Sequence, residues 1–259
     1  MSELNEQKLK AYPRLFGLIG NPLSHSFSKK YFNEKFADEG LLDCHYELFP
    51  LDTIEAFPAL IRRFPNLKGL NVTLPYKESI IPLLDEIDED AKEIGAVNTI
   101  KIDEGKCVGC NTDAYGFEKS LIGFLNETPS IKVINALVLG TGGASRSVCF
   151  VLKKMGIAIS RVSRTGDNEV LKYNDLDEAL LQNTQLIVNT TPLGMSPAVE
   201  TFPQLSYNLL GANHFLYDLV YNPEKTVFLA KGEKQGCLIK NGLEMLHLQA
   251  QKAWEIWNF

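Results

Sequence analysis

Short, near-continuous apolar runs alternate along this chain with stretches whose apolar residues recur at helical spacing. The run at 15–20 predicts a strand, after which Phe27, Tyr31, Phe32 and Phe36 fall on one helical face with Gly40 as the stop. Residues 45–49 predict a second strand. Asp52 and Glu55 have capping-box spacing for a helix carrying Ile54, Phe57, Leu60, Ile61 and Phe64, and Pro58 points to a kink or a late start. Residues 67–73 predict a third strand, with Pro75 opening a short helix behind it. A charged helix is expected over 85–93, ending at Gly95, and a hairpin over 96–102 and 106–111 around Asp103-Glu104-Gly105.

The second half repeats the alternation. A helix is expected over 112–125 and a polar connection over 126–132, with Pro129. Strands follow at 136–139, 157–163, 185–189 and 215–220, and helices at 144–155, stopped by Gly156, and at 223–235. A long amphipathic helix over 242–257 closes the chain. No internal repeat or low-complexity tract interrupts this order. Strands alternating with helices imply an α/β protein with parallel sheets and right-handed crossovers.

At 259 residues the chain suits one large domain or two modest ones, and 45% apolar with 22% charged residues is ordinary globular composition. The formal net charge is −6 and the pI near 5.4. That excludes a broad basic footprint for nucleic acid and argues against an anionic membrane surface, while leaving room for a pocket holding one phosphate group. No apolar run reaches the roughly 18 residues of a membrane span, and the polar stretch 1–14 has no apolar signal core, so a cytoplasmic protein is expected. The five cysteines (44, 107, 110, 149 and 237) are odd in number and scattered. Cys107 and Cys110 form a CxxC without a second ligand pair, so they read as two small semi-buried residues and no metal is expected.

Candidate chemistry gathers where strands give way to helices, which is where α/β proteins bind ligands. Residues 138–146 read VLGTGGASR, an apolar strand running into a glycine turn and a helix. Gly140 permits the turn, Gly142 lets the backbone approach a pyrophosphate, and the helix N-terminus offers free N–H groups. Gly140, Thr141, Gly142, Gly143 and Ala144 are therefore candidate cofactor contacts, with Ser145 standing where a third glycine would be. At the end of the next strand, Ser163, Arg164 and Thr165 offer a cation and hydroxyls in place of the acid that holds a free ribose. Arg164 can bind a 2′-phosphate, which favours NADP over NAD, although Asp167 follows closely.

Lys77, placed by the Pro75 reading in a first helical turn, sits at the disfavoured end of the helix dipole, which hints at use, although spacing alone favours a solvated surface lysine. Asp113 reads as an N-terminal acid of its helix, Ser26 and Ser28 as caps, and Asn98 as a turn residue, each open to a second role as a ligand group.

Six segments in order make the chain recognisable: GNPLSHSFS at 20–28, NVTLPYK at 71–77, GAVNT at 95–99, GCNTDAYGF at 109–117, GTGGASR at 140–146 and NGLEMLHLQAQKAW at 241–254. Together they resemble the shikimate dehydrogenase family over nearly the whole chain. The resemblance implies two α/β domains with the site in the cleft between them. Residues 1–111, completed by the C-terminal helix 241–259, would be the substrate domain, and 112–240 a Rossmann-like, doubly wound NADP domain. It implies NADPH-dependent reduction of 3-dehydroshikimate to shikimate in aromatic amino acid biosynthesis, by a monomer or homodimer acting on a small molecule. Lys77 and Asp113 would be the catalytic pair. Ser26, Ser28, Asn71, Thr73, Asn98, Tyr221 and Gln249 would bind substrate, and Gly242 would lie near the nicotinamide. Two positions depart from the family pattern: Lys29 stands where proline is common, and Asn168 where a second cation follows Arg164. The alternatives are an NAD-using quinate/shikimate dehydrogenase and a non-catalytic NADP-binding sensor, which would lose Lys77 and Asp113.

Overall fold

The computed structural model describes residues 3–23, 27–167 and 169–258. The chain divides into two compact units, Met1–Thr112 with Ala250–Phe259, and Asp113–Gln249.

The first unit is built from α1 (Glu3–Lys10), β1 (Arg14–Gly20), α2 (Phe27–Asp38), β2 (Cys44–Pro50), α3 (Phe57–Arg63), β3 (Leu67–Val72), β4 (Glu86–Ile87), α4 (Glu89–Ile94), β5 (Thr99–Asp103) and β6 (Lys106–Cys110). Its sheet runs β2-β1-β3-β5-β6-β4. The strands β1, β2 and β3 are parallel, whereas β5 is antiparallel to both β3 and β6. This sheet is therefore mixed and not purely parallel as the alternation suggests. The cause is the tight hairpin between β5 and β6, where Glu104 (φ 48°) and Gly105 (φ 83°) take the left-handed pair that a two-residue turn requires.

Strand periodicity distributes the core. On β1, Leu15 and Ile19 join Phe57, Phe64, Leu70 and Ile100 on one face, while Phe16 and Leu18 join Phe32, Phe36 and Tyr46 on the other. Trp257, near the C-terminus, completes that second face. Its indole lies against Gly69, where any side chain would collide with it, and its Nε1–H donates to the Ile100 carbonyl at 3.0 Å.

Two helices start later than expected. One 3₁₀ turn, Ile54–Ala56, precedes α3, and its cap residue is Thr53, with no side-chain cap bond; the Asp52–Glu55 capping box does not form, and the helix starts late, at Phe57, with Pro58 in its first turn. The charged stretch 85–93 first gives β4, paired with β6, and becomes helical only at Glu89, where the Asp88 carboxylate accepts the Ala91 N–H at 2.6 Å. Gly95, at φ 71°, ends α4.

The second unit contains α5 (Thr112–Asn126, from its second residue), β7 (Asn135–Leu139), α6 (Gly143–Lys154), β8 (Ala158–Ser163), β9 (Val170–Lys172), α7 (Glu178–Gln182), β10 (Leu186–Asn189), β11 (Phe215–Asp218), α8 (Val227–Lys234) and β12 (Leu238–Lys240), with the first part of α9 (Leu243–Asn258). The sheet runs β12-β11-β10-β7-β8-β9 and is parallel throughout. Counting β7 as first, that is the 3-2-1-4-5-6 order of a dinucleotide-binding sheet. The strands β10 and β11 are buried at every position, as parallel strands covered on both faces must be. The helix expected from residue 223 begins only at Val227, capped by the Thr226 hydroxyl. Among the described residues no helix is long and apolar enough to cross a membrane.

Candidate functional site

In the second unit β7 ends at Leu139 and the chain turns at Gly140, whose φ of 111° favours glycine. A Cβ there would lie 2.6 Å from Thr190 Oγ1. Thr190 donates both its hydroxyl (2.7 Å) and its N–H (2.9 Å) to the Leu139 carbonyl. The ends of β7 and β10 are thus fastened at the point where the strand order reverses, the usual ligand crevice of an open α/β sheet. Gly142 caps α6 without a side-chain bond, and a Cβ on it would meet nothing within 4 Å. Thr141 and Gly142 are exposed, Ala144 is half-buried and Gly143 buried. The cap thus gives the first-turn N–H groups no side-chain acceptor and leaves room at Gly142 itself, an arrangement that accepts an anion. Ser145 replaces the third glycine without harm: it is buried, and its hydroxyl donates back to the Gly140 carbonyl at 2.8 Å.

At the end of β8, Ser163 Oγ accepts the Gly166 N–H at 2.9 Å and closes a turn that exposes Arg164 and Thr165. Asp167 does not oppose Arg164. Its carboxylate accepts the Glu169 N–H at 2.8 Å, and Glu169 in turn pairs with Arg161 at 3.2 Å. Among the described residues no carboxylate pairs with Arg164, which lies beside the Tyr173 phenol. Asn168 falls outside the described residues.

In the first unit the predicted substrate groups form a network. Ser26 lies outside the described residues; Ser28, in the first turn of α2, lies beside the phenol of Tyr46. Tyr46 Oη donates to Asn71 Oδ1 at 2.8 Å, and Asn71 Nδ2 donates to Thr99 Oγ1 at 3.2 Å. Asn98 is 3% exposed and is no turn residue: its Nδ2 donates to Thr112 Oγ1 at 3.0 Å, and its Oδ1 accepts the Thr112 N–H at 2.7 Å. Asn98 thus joins the start of β5 to the start of α5. Lys29, the departure from the family pattern, closes its ammonium on the Glu47 carboxylate. Burial pushes the Glu47 carboxyl up, but hydrogen bonds from His45, Lys29 and the Leu48 N–H outweigh it and hold it at about 2, below its ordinary value.

Thr73 is held between β1 and the following turn, donating its N–H to the Ile19 carbonyl at 2.9 Å and accepting the Tyr76 N–H at 3.0 Å. No helix opens at Pro75. Residues 74–80 form successive turns, because the Lys77 carbonyl accepts the Val97 N–H at 2.7 Å and leaves no ladder to propagate. The helix-dipole argument for Lys77 therefore falls. Lys77 is a half-buried residue of a loop tied to the strand-side segment at Val97.

Asp113, 3% exposed, occupies the first turn of α5 in the second unit. Gln249, half-buried on α9, lies where α9 passes close to α5: a Cβ on Gly116 would be 2.6 Å from the Met245 carbonyl oxygen and 3.1 Å from Gln249 N. Gly242 is buried, donates its N–H to the Val220 carbonyl at 3.2 Å, and has the Leu219 backbone where a side chain would stand. Tyr221 is half-buried, and burial raises its phenol.

One cluster went unread in the sequence. Asp218, at the end of β11, is fully buried; its carboxylate accepts Thr226 Oγ1 at 2.6 Å, Asn189 Nδ2 at 2.9 Å and the Val220 N–H at 3.0 Å. Asn189 Oδ1 accepts the Thr191 hydroxyl at 2.6 Å. The loops leaving β10 and β11 are thereby pinned to one carboxylate. Cys107 and Cys110 are buried thiols, pushed up by burial to about 11 and about 12.

Residues 18–100 match the shikimate dehydrogenase substrate-binding domain family. The chain is 37% identical over 260 residues to the NADP(+) shikimate dehydrogenase of Methanococcus aeolicus, covering 94% of this chain and 91% of that one. The chain belongs to the shikimate dehydrogenase family. A second relative, the NADP(+) shikimate dehydrogenase of Aquifex aeolicus, is 37% identical over 96% of this chain and 93% of its own. Among solved structures, the shikimate 5-dehydrogenase of Thermus thermophilus in complex with NADP(H) and shikimate superposes with a TM-score of 0.79 at 32% identity, over 94% of this chain and 92% of that one. Shikimate dehydrogenase membership accounts for the second sheet's strand order and for the motifs at both sets of loops.

Proposed function

We propose that this chain is an NADP-dependent shikimate dehydrogenase, interconverting 3-dehydroshikimate and shikimate in the cytoplasm for aromatic amino acid biosynthesis. The observation that carries the reading is the point of strand-order reversal, where α6 begins without a side-chain cap and, at the end of the neighbouring strand, Arg164 has no carboxylate partner among the described residues, in a chain of this family. The first unit would contribute Ser26, Ser28, Asn71, Thr73, Lys77 and Asn98, and the second the cofactor groups together with Asp113, Tyr221 and Gln249.

The open space at Gly142 suits a pyrophosphate against Gly140, Thr141, Gly142, Gly143 and Ala144. Ser163, Arg164 and Thr165 would hold the 2′-phosphate, and the backbone at Gly242 the nicotinamide end. When bound, the cofactor supplies the hydride that reduces the C3 ketone. The ketone oxygen then gains negative charge, and Lys77 would donate to it while Asp113 orients the lysine and balances its charge. Ser26, Ser28, Asn71, Thr73, Asn98, Tyr221 and Gln249 would bind the carboxylate and hydroxyls, since neutral groups of these types both donate and accept.

The test is initial-rate kinetics with shikimate and each nicotinamide cofactor, repeated on Arg164→Ala. The variant should raise KM for NADP far more than KM for NAD; equal changes would remove Arg164 from the assignment.

A further inference from the structure

Tyr46 carries a hydroxyl group where the packing asks only for a ring. Its side chain is fully buried in a cluster with Phe16, Phe32, Phe36 and Trp257, and the Phe32 ring stacks on it with centroids 4.8 Å apart. A phenylalanine would fill the same volume and bury no polar atom of its own. The hydroxyl instead donates to Asn71 Oδ1 at 2.8 Å and lies beside the Ser28 hydroxyl. Burial lifts the phenol well above its ordinary value of 10.0, so it stays a neutral donor.

The backbone at Tyr46 is held just as firmly. Asn33 of α2 donates its Nδ2 to the Tyr46 carbonyl at 2.9 Å and accepts the Tyr46 N–H at 3.0 Å, while the same Nδ2 reaches the Lys29 carbonyl at 2.8 Å. The pair of Lys29 with Glu47 closes the same seam. The start of α2, which carries Ser28, is therefore fastened to β2, and the phenol reaches past the intervening β1 to Asn71 on β3.

We propose that Tyr46 is a positioning residue for the substrate, its hydroxyl fixing the amide of Asn71 and the hydroxyl of Ser28 and so setting affinity for a polyhydroxylated acid. The proposal rests on the function proposed above. An amide can present either its oxygen or its NH₂ to a ligand, and a serine hydroxyl rotates freely until something fixes it. A donor on Asn71 Oδ1 and an acceptor, Thr99 Oγ1 at 3.2 Å, on its Nδ2 settle the amide. With both groups set beforehand, substrate binding does not have to order them.

The test is Tyr46→Phe, alone and with Ser28→Ala, read by steady-state kinetics and thermal melting. Tyr46→Phe should raise KM for shikimate roughly tenfold, the scale of one well-made hydrogen bond. The turnover number, KM for NADP and the melting temperature should stay close to those of the unaltered chain. Ser28→Ala alone should also raise KM for shikimate, and the two substitutions should combine less than additively. An unchanged KM for shikimate, equal rises for both substrates, additive effects, or a variant that no longer folds would each assign the hydroxyl to packing and overturn the proposal. An unaltered chain that never turns over shikimate overturns the proposed function itself. An active unaltered chain with an indifferent Tyr46→Phe overturns only this role.

Discussion

Lys77 illustrates how a residue can be picked for a wrong local reason. The helix-dipole clue disappears with the helix, because the Lys77 carbonyl bonds Val97 and not an amide one turn on. The NVTLPYK motif still singles it out, and with it Lys77→Ala should cut turnover by roughly 10² or more while the melting temperature holds. Turnover near that of the unaltered chain would remove it from the chemistry. Local pattern marks Asn98 as a polar residue at a turn, and the GAVNT motif as a ligand group; its burial and its grip on Thr112 join positions 98 and 112, which no local pattern encodes. Tyr46 and Asp218 were not legible at all, since a tyrosine in a strand reads as core and nothing local marks an acid within a strand as a buried acceptor. Asp218 has a measurable signature. Burial raises its carboxyl from 3.8 to about 6, so the folded chain holds that proton more tightly than the unfolded one. The protonated form's contribution to stability is full below about pH 4 and is lost as pH rises through about 6. Melting curves across that range should show the unaltered chain losing stability relative to Asp218→Asn, by about 2–3 kcal/mol in all. Parallel pH profiles would contradict this.

Among the elements, those with long apolar runs were readable: β1, β3, β7, β10 and β11 lie within a residue or two of expectation, and the β5–β6 hairpin was marked by its Glu-Gly turn. The three-residue strands β9 and β12 were not, because a run that short carries no period; each exists by pairing with a neighbour. The start of α8 was set by the Thr226 cap and not by the proline before it. The helix α5 offers a sharp comparison between two glycines. Gly116 faces the Met245 carbonyl, and an added methyl group would be 2.6 Å from an atom that cannot swing aside, whereas Gly123 is exposed with nothing within 4 Å. Gly116→Ala should destabilise by about 1–3 kcal/mol, and Gly123→Ala should stabilise by about 0.5–1 kcal/mol. Denaturant midpoints that move in the same direction would refute the helix contact.

For the molecule as a whole, alternation of strand and helix announced the α/β class, and the strand order that distinguishes the second sheet became visible only once pairing was known. The membership of residues 250–259 in the first unit is the least local feature of the chain. Trp257 supplies it, filling the space over Gly69 and bonding the Ile100 carbonyl. Loss of such a side chain costs about 3–5 kcal/mol, a large part of a unit's whole stability. A chain ending at Gln249 should therefore lose hydrogen-exchange protection in β1 and β3 and keep it in β7 and β10; undiminished protection in β1 would contradict that dependence.

The most direct test of the whole account is the initial rate of nicotinamide reduction by this chain with shikimate, run in parallel with NADP and NAD. Shikimate turnover with NADP well ahead of NAD is the expected result. No turnover with either cofactor, from folded protein that binds NADP, would contradict it.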